Sequence, residues 1–277
     1  DRADRQEMHL LATDCEAGKP LTLHYQVHAH DDSVRTAWLT TQRGFFNGTS
    51  LCLQVEGKSQ IKKIVAGVTA SQALLDAALA AGADAVMVHH GYFWKNEDYA
   101  ITGIKKRRLQ TLLKHDISLI AYHLPLDVHP LLGNNAQLAL KLGLTSWQAV
   151  SGVSPSGVLM RGTLANPMTS QQIADRLHSE LNRLPLLHAV LDKPVTELAW
   201  CTGGGQSYID QAYAAGAELF ISGEVSEQTI HSSRELGIDF IAAGHHATER
   251  YGIKALAEFV QQRTGVVCEF IDIDNPA

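Results

Sequence analysis

The sequence predicts an α/β protein of two related β-α-β-α-β lobes, with helix-covered, largely parallel sheets. Three observations predict it. Residues 72–84 (QALLDAALAAGAD) align without a gap to residues 206–218 (QSYIDQAYAAGAE), identical at seven of thirteen positions. Each copy follows one apolar run, 64–69 or 198–202, and precedes another, 85–88 or 219–221. Short uninterrupted apolar runs suit strands buried on both faces, as in parallel sheets covered by helices. A further helix and strand then follow in both copies, at 105–114 and 117–122, and at 226–236 and 238–243. Alternation of this kind is the mark of an α/β architecture.

Each element has a local reason. The first helix closes at Gly82 and its counterpart at Gly216, where a left-handed residue is needed to end a helix. Between the copies, 157–164 reads as a strand and 169–181 as an amphipathic helix, in a region punctuated by Pro155, Pro167, Pro185 and Pro194. After Glu249, the spacing of Ile253, Leu256, Ala257 and Val260 is helical, and 266–273 makes a final strand. The first fifty residues carry His24, His28, His30, Asp31 and Asp32 in a polar, weakly periodic stretch, expected to be irregular. The expected division is an N-terminal segment, 1–52, and a domain at 53–277. Within that domain, lobe one takes about 53–145 plus 245–277, and lobe two about 146–244.

The chain of 277 residues is long enough for a full core, and 45% hydrophobic with 19% charged residues is ordinary for a globular protein. A net charge of −6 gives no electrostatic footprint for broad nucleic-acid binding. No apolar run reaches the roughly 18 residues of a membrane span, and the N-terminus lacks a signal-peptide core. Cys15, Cys52, Cys201 and Cys268 are scattered without C-x-x-C spacing, which argues for reduced thiols and a cytoplasmic protein, against a disulfide frame or zinc finger.

The chemistry is concentrated at strand ends, where α/β sheets gather their ligands. The apolar run 85–88 stops on His89 and His90, and the run 240–243 is followed by Gly244, His245 and His246. Asp127 follows the third strand of the first half. His245 and Glu249, four residues apart, share one face of a helical turn. Imidazoles and carboxylates converging in this number suit a dinuclear site for divalent transition metals: zinc, iron, manganese or nickel. Adjacent histidines in a strand point to opposite faces, so both His89 and His90 serve one site only if the chain turns there, and Gly91 permits a turn. His123 either orients a ligand or is structural, and His246 and His129 are expected to point away. The stretch 202–207 (TGGGQS) is either a phosphate cradle or a tight turn. Lys105 to Arg108 either meet a triphosphate or form a solvated face. One of Tyr92, Phe93 and Trp94 either stacks on a base or packs under the loop. Glu224 aligns with His90 in the repeat and is an outer-sphere or acid–base candidate. Ser207 lacks the G-x-S-x-G frame of a nucleophile.

The motifs GVTAS (67–71), VHHGYFWK (88–95), HLPLDVHP (123–130), GNNAQLA (133–139), AWCTGGGQS (199–207), SGEVSEQTIH (222–231) and AAGHHATER (242–250) occur in order along the chain. In these the chain resembles the bacterial YbgI branch of the type 2 GTP cyclohydrolase I family, also called the Nif3-like family. The resemblance covers about 53–277. It implies a two-lobed α/β protein, a homohexameric toroid and a dinuclear site on His89, His90, Asp127, His245 and Glu249. It also implies a purine nucleotide substrate, GTP, attacked at C8 by metal-activated water with release of formate, Glu249 bridging the metals or taking a proton. The alternatives are a phosphoesterase or damaged-nucleotide hydrolase at the same metals, and a non-enzymatic metal-binding scaffold. Of the family's opening segment only LQVEGK (53–58) is kept.

Overall fold

A computed structural model describes residues 7–14, 22–28, 34–40, 53–94 and 97–277, the first three stretches as backbone only. Cys15, Cys52, His30, Asp31, Asp32 and Lys95 lie outside the described residues. The chain forms two units, Asp1–Leu126 with Ile253–Ile273, and Asp127–Gly252 with Asp274–Ala277.

In the first unit β1 (Glu7–Asp14), β2 (Thr22–His28) and β3 (Val34–Thr40) pair antiparallel, in the order β3-β2-β1. The expectation of an irregular N-terminal stretch is corrected by these strands. Leu23, Tyr25 and Val27 alternate with polar residues through β2, a period-two pattern that the histidines obscure. Next come β4 (Leu53–Val55) and β5 (Gln60–Ile61), which pairs with β1. The repeat begins at β6 (Lys63–Thr69) and continues through α1 (Gln72–Ala80), β7 (Ala85–His90), α2 (Gly103–Lys114) and β8 (Ser118–Ala121). Strands β6, β7 and β8 are parallel, with β4 antiparallel at the edge of β8. Ser71 caps α1 by accepting the Leu74 amide, and Gly82 takes a φ of +69° just past its end.

Past a short helix α3 (Leu124–Asp127), the second unit runs α4 (Asn134–Lys141), β9 (Gln148–Ala149), β10 (Met160–Met168), α5 (Ser170–Leu181) and β11 (Leu186–His188). Thr169 and Gln172 form a capping box on α5. The second copy of the repeat follows as β12 (Val195–Cys201), α6 (Ile209–Ala214), β13 (Leu219–Ser222), α7 (Glu227–Leu236) and β14 (Asp239–Ala242). Its sheet order is β11-β14-β13-β12-β10-β9, parallel through β12, β13 and β14. Trp200, Phe220 and Phe240 are its largest fully buried side chains. Helix α8 (His245–Thr264) and β15 (Val267–Phe270) close the chain, β15 lying parallel beside β6. The helix starts at His245 and so includes the turn expected to carry His245 and Glu249, and Gly244, at a φ of +100°, makes the entry. Among the described residues no helix is long and apolar enough to cross a membrane.

The repeat extends to individual hydrogen bonds. Asp84 Oδ2 accepts the amides of Lys62 and Lys63 where β6 begins, while Oδ1 pairs with Lys58 Nζ at 2.7 Å. At the equivalent position Glu218 Oε2 accepts the amides of Thr196 and Glu197 where β12 begins, while Oε1 pairs with Lys193 Nζ at 2.5 Å. In both copies one carboxylate fastens the start of the first strand to the start of the second. Burial alone would raise the Asp84 pKa, but the Lys58 ammonium and the two amides together bring it below its ordinary 3.8. Glu218 is lowered chiefly by Lys193 and the Thr196 amide.

Removing this acceptor strands two amides and a lysine. We expect Asp84→Ala to cost about 1–3 kcal/mol at neutral pH, read from urea unfolding midpoints. A depressed folded pKa contributes stability above the unfolded value and loses it as pH falls through the folded one. The difference between wild type and Asp84→Ala should therefore shrink on acidification below about pH 4. Equal midpoints at pH 7 would show that the clamp is not stabilising.

Candidate metal centre

Strand β7 delivers its last two side chains, His89 fully buried and His90 partly so. Their ring centroids are 4.6 Å apart, so neighbouring strand positions do not carry them away from each other. No left-handed turn at Gly91 is involved. Glycine is required there for space, because a β-carbon would overlap Gln54 Oε1 and lie 2.7 Å from Ala121 Cβ. His123 completes the group, with one donor atom from each of the three histidines within 4.8 Å of the others. His123, left open by the sequence between orienting and structural roles, thus stands close enough to both neighbours for the three to share an ion.

Each strand-end imidazole is tied through Nδ1. His89 Nδ1 lies 2.8 Å from the Tyr122 carbonyl, which can only accept, so Nδ1 carries the proton and Nε2 the lone pair. His90 Nδ1 lies 3.1 Å from Thr69 Oγ1, its register partner on β6. Fixing the tautomer through the far nitrogen is how metal-ligating histidines are normally prepared.

The three aromatics after the pair divide by role. Tyr92 is buried and its hydroxyl donates to the Ala70 carbonyl at 2.6 Å, so it packs under the loop. Phe93 sits at a φ of +65° with Lys105 Nζ 5.2 Å from its ring centre. Trp94, 36% exposed, meets His123 edge-to-face at 4.7 Å. Lys105 is engaged with Glu97 and the Asp98 carbonyl, while Lys106 and Arg107 are exposed, as a solvated helix face requires.

In the second unit the candidate donors are Asp127, His245 and Glu249. Asp127 and Glu249 are buried, with an oxygen of each within 4.8 Å of the other. His245 Nε2 lies 3.1 Å from Glu249 Oε2, one helical turn along α8. Asn134 donates to Asp127 Oδ1 at 2.7 Å and accepts the Gly252 amide at 2.9 Å. Asn135 accepts the Thr202 amide at 3.1 Å, while its own carbonyl receives Trp200 Nε1 at 3.0 Å. These two asparagines hold Asp127 and the glycine loop in place. Sequence reasoning gave them no role; a pair of polar residues beside a glycine and ahead of an apolar helix was the available signal. His129 is half-buried and accepts the Leu132 amide at 3.0 Å as the cap of a turn.

The loop 202–207 behaves as a tight turn against the donors. The Gly203 amide donates to Thr248 Oγ1 at 3.0 Å and its carbonyl receives the Gly223 amide at 2.9 Å. A β-carbon on Gly203 would overlap Glu249 Oε1 and lie 3.1 Å from His245 Nε2, and its φ of +63° disfavours any other residue. The backbone has been cleared where these two donors stand. That space, and a donor set of imidazole and carboxylate without sulfur, fit a borderline or hard divalent cation.

A family model described as Duf34/NIF3 (NGG1p interacting factor 3) matches residues 47–276. The chain belongs to the Duf34/NIF3 family. It is 56% identical over 225 residues to a Pseudomonas aeruginosa protein named GTP cyclohydrolase 1 type 2 homolog, covering 81% of this chain and 89% of that one. An Escherichia coli K12 protein of the same name is 55% identical over 226 residues, covering 81% and 90%. A solved structure titled protein ybgI, unknown function, is 54% identical with a TM-score of 0.78, covering 81% of this chain and 90% of that one. A crystal structure from Thermus thermophilus is 36% identical with a TM-score of 0.72, covering 81% and 88%. In this Duf34/NIF3 chain, residues 1–46 lie outside the family match.

Glu249, through its hydrogen bond, raises the His245 pKa to about 9 against the opposing effect of burial, and Glu224 adds to the rise. The sign follows directly. A folded pKa above the ordinary 6.5 stabilises the metal-free protein below about pH 6.5, and that contribution is lost as pH rises through about 9. A metal ion must displace this proton. Calorimetric titration of metal-free protein at pH 7.5, in buffers of differing ionisation enthalpy, should show about one proton released from His245, falling towards zero above about pH 10. Gly203→Ala should weaken metal binding by at least about tenfold. Unchanged affinity in that variant would show that the cleared space is not used.

Proposed function

We propose that this Duf34/NIF3 protein is a hydrolase whose dinuclear metal centre, held by His89, His90, Asp127, His245 and Glu249, opens the purine ring of GTP. The observation that carries the reading is the preparation of the donors: His89 is fixed through Nδ1 by a carbonyl at 2.8 Å, His245 is flanked by a carboxylate at each ring nitrogen, and Asp127 is held by Asn134. Histidines that merely fill a strand end need no such arrangement. The names borne by relatives at 55–56% identity support the substrate.

Two divalent ions, of zinc, iron, manganese or nickel, would supply Lewis acidity and lower the pKa of a water molecule towards neutrality. The chain's own residues do the rest. Glu249, buried and acceptor-only when ionised, takes a proton from the attacking water and passes it to a ring nitrogen. Water adds across C8 and N7, the remaining hydroxyl proton passes to N9 as the C8–N9 bond breaks, and a formamide is left on N7. A second water cleaves that amide, releasing formate with the triphosphate intact. Trp94, an exposed indole beside His123, offers a face for a planar base. Assembly as a homohexameric ring belongs to the same reading, through the family resemblance.

Metal-replete protein should contain about two ions per chain by elemental analysis, and should release formate from GTP. His245→Ala and Glu249→Ala should each lose metal and turnover while still unfolding cooperatively, at a thermal midpoint lowered by the loss of their ion pair and of the bound metal. Phosphate release without formate would replace this reading with a phosphoesterase. A metal content that never exceeds one ion would end the dinuclear assignment.

A further inference from the structure

His245 stands between two carboxylates. Its Nδ1 lies 2.6 Å from Glu224 Oε1 and its Nε2 lies 3.1 Å from Glu249 Oε2. A neutral imidazole keeps one proton, and the two carboxylates compete for it. If Glu249 holds that proton, it sits on Nε2, the nitrogen that has to face the metal. If Glu224 holds it, Nε2 presents its lone pair. We propose that Glu224 is the positioning residue that keeps the His245 proton on Nδ1 and so opens Nε2 for ligation. This rests on the reading of His245 as a ligand given above.

Three observations support the assignment. The Glu224 contact is the shorter of the two, as expected for the stronger charge-assisted bond. Glu224 is itself held, since Gln206 Nε2 donates to its second oxygen at 3.3 Å, linking it to the glycine loop that makes room for Glu249. Its position is the repeat equivalent of His90, so the two halves use one strand end differently. The first half places an imidazole there, tied to Thr69. The second places a carboxylate that reaches an imidazole from another element. The equivalent of His89 is Gly223, where a β-carbon would lie 2.6 Å from the Gly203 carbonyl oxygen and 2.8 Å from His245 Cα. The start of α8 therefore occupies the space of the missing histidine, and Glu224 serves that helix instead.

The test has a readout that does not depend on turnover. In metal-free protein above about pH 10, where His245 is neutral, nitrogen NMR should show the His245 proton on Nδ1 in wild type and on Nε2 in Glu224→Ala. Affinity for zinc should fall about 10- to 100-fold in Glu224→Ala, the range seen when such partners are removed. Glu224→Gln, whose amide oxygen still accepts from Nδ1, should fall between. At 45% side-chain exposure, Glu224 can be replaced without loss of fold, which a melting curve checks. An Nδ1 proton in Glu224→Ala would overturn the proposal even if zinc binding fell. Failure of His245→Ala to weaken zinc binding in otherwise wild-type protein would instead remove His245 from the ligand set, leaving the tautomer measurement to judge Glu224 by itself.

Discussion

The first turn of α8 enters against backbone from which side chains have been removed. Gly203 and Gly223 are joined by a backbone hydrogen bond, and neither tolerates a β-carbon, because Glu249 and His245 fill that volume. Gly244 turns the chain from the end of β14 into the helix, and its amide is bonded to the Gly223 carbonyl at 2.9 Å. Three glycines from three strand ends thus set where two donors stand. A β-carbon at Gly203 or Gly223 would press on Glu249 or on the start of α8 at His245, whereas one at Gly244 would meet the Arg183 side chain.

Much of the fold was legible because a parallel sheet leaves strong traces in one dimension. Strands buried on both faces read as unbroken apolar runs, and the helix between them closes on a glycine at the same repeat position, Gly82 or Gly216. The candidate donors were legible for the complementary reason: His89 and His90 interrupt an apolar run where packing asks for none. The structure adds what only tertiary contact decides. Asn134 and Asn135 have no periodic signature, and their work is done on Asp127 and Thr202. Gly91 looked like a hinge and is instead a gap for Gln54, because a steric requirement leaves the same letter as a conformational one. The strands β1 to β3 were hidden by polar content, although β2 alternates.

The two halves show how a duplicated unit can diverge while its frame stays fixed. The acidic clamp, Asp84 in one copy and Glu218 in the other, keeps the same amides in both, one methylene longer in the second. At the opposite ends of the same strands the copies part. The first keeps a histidine pair, and the second has a glycine and Glu224. Strand starts are constrained by amides that must find acceptors, whereas strand ends open onto space that chemistry can claim.

Cys201, at the end of β12, is buried beneath Gly205, whose missing side chain leaves room for the sulfur. Burial raises its pKa, and the negative charges of Asp127 and Glu249 raise it further, so it persists as a neutral thiol. The carboxylates that would recruit an ion thereby suppress the softest donor in their own neighbourhood. The same protonation shields the thiol from oxidants, which react with the thiolate.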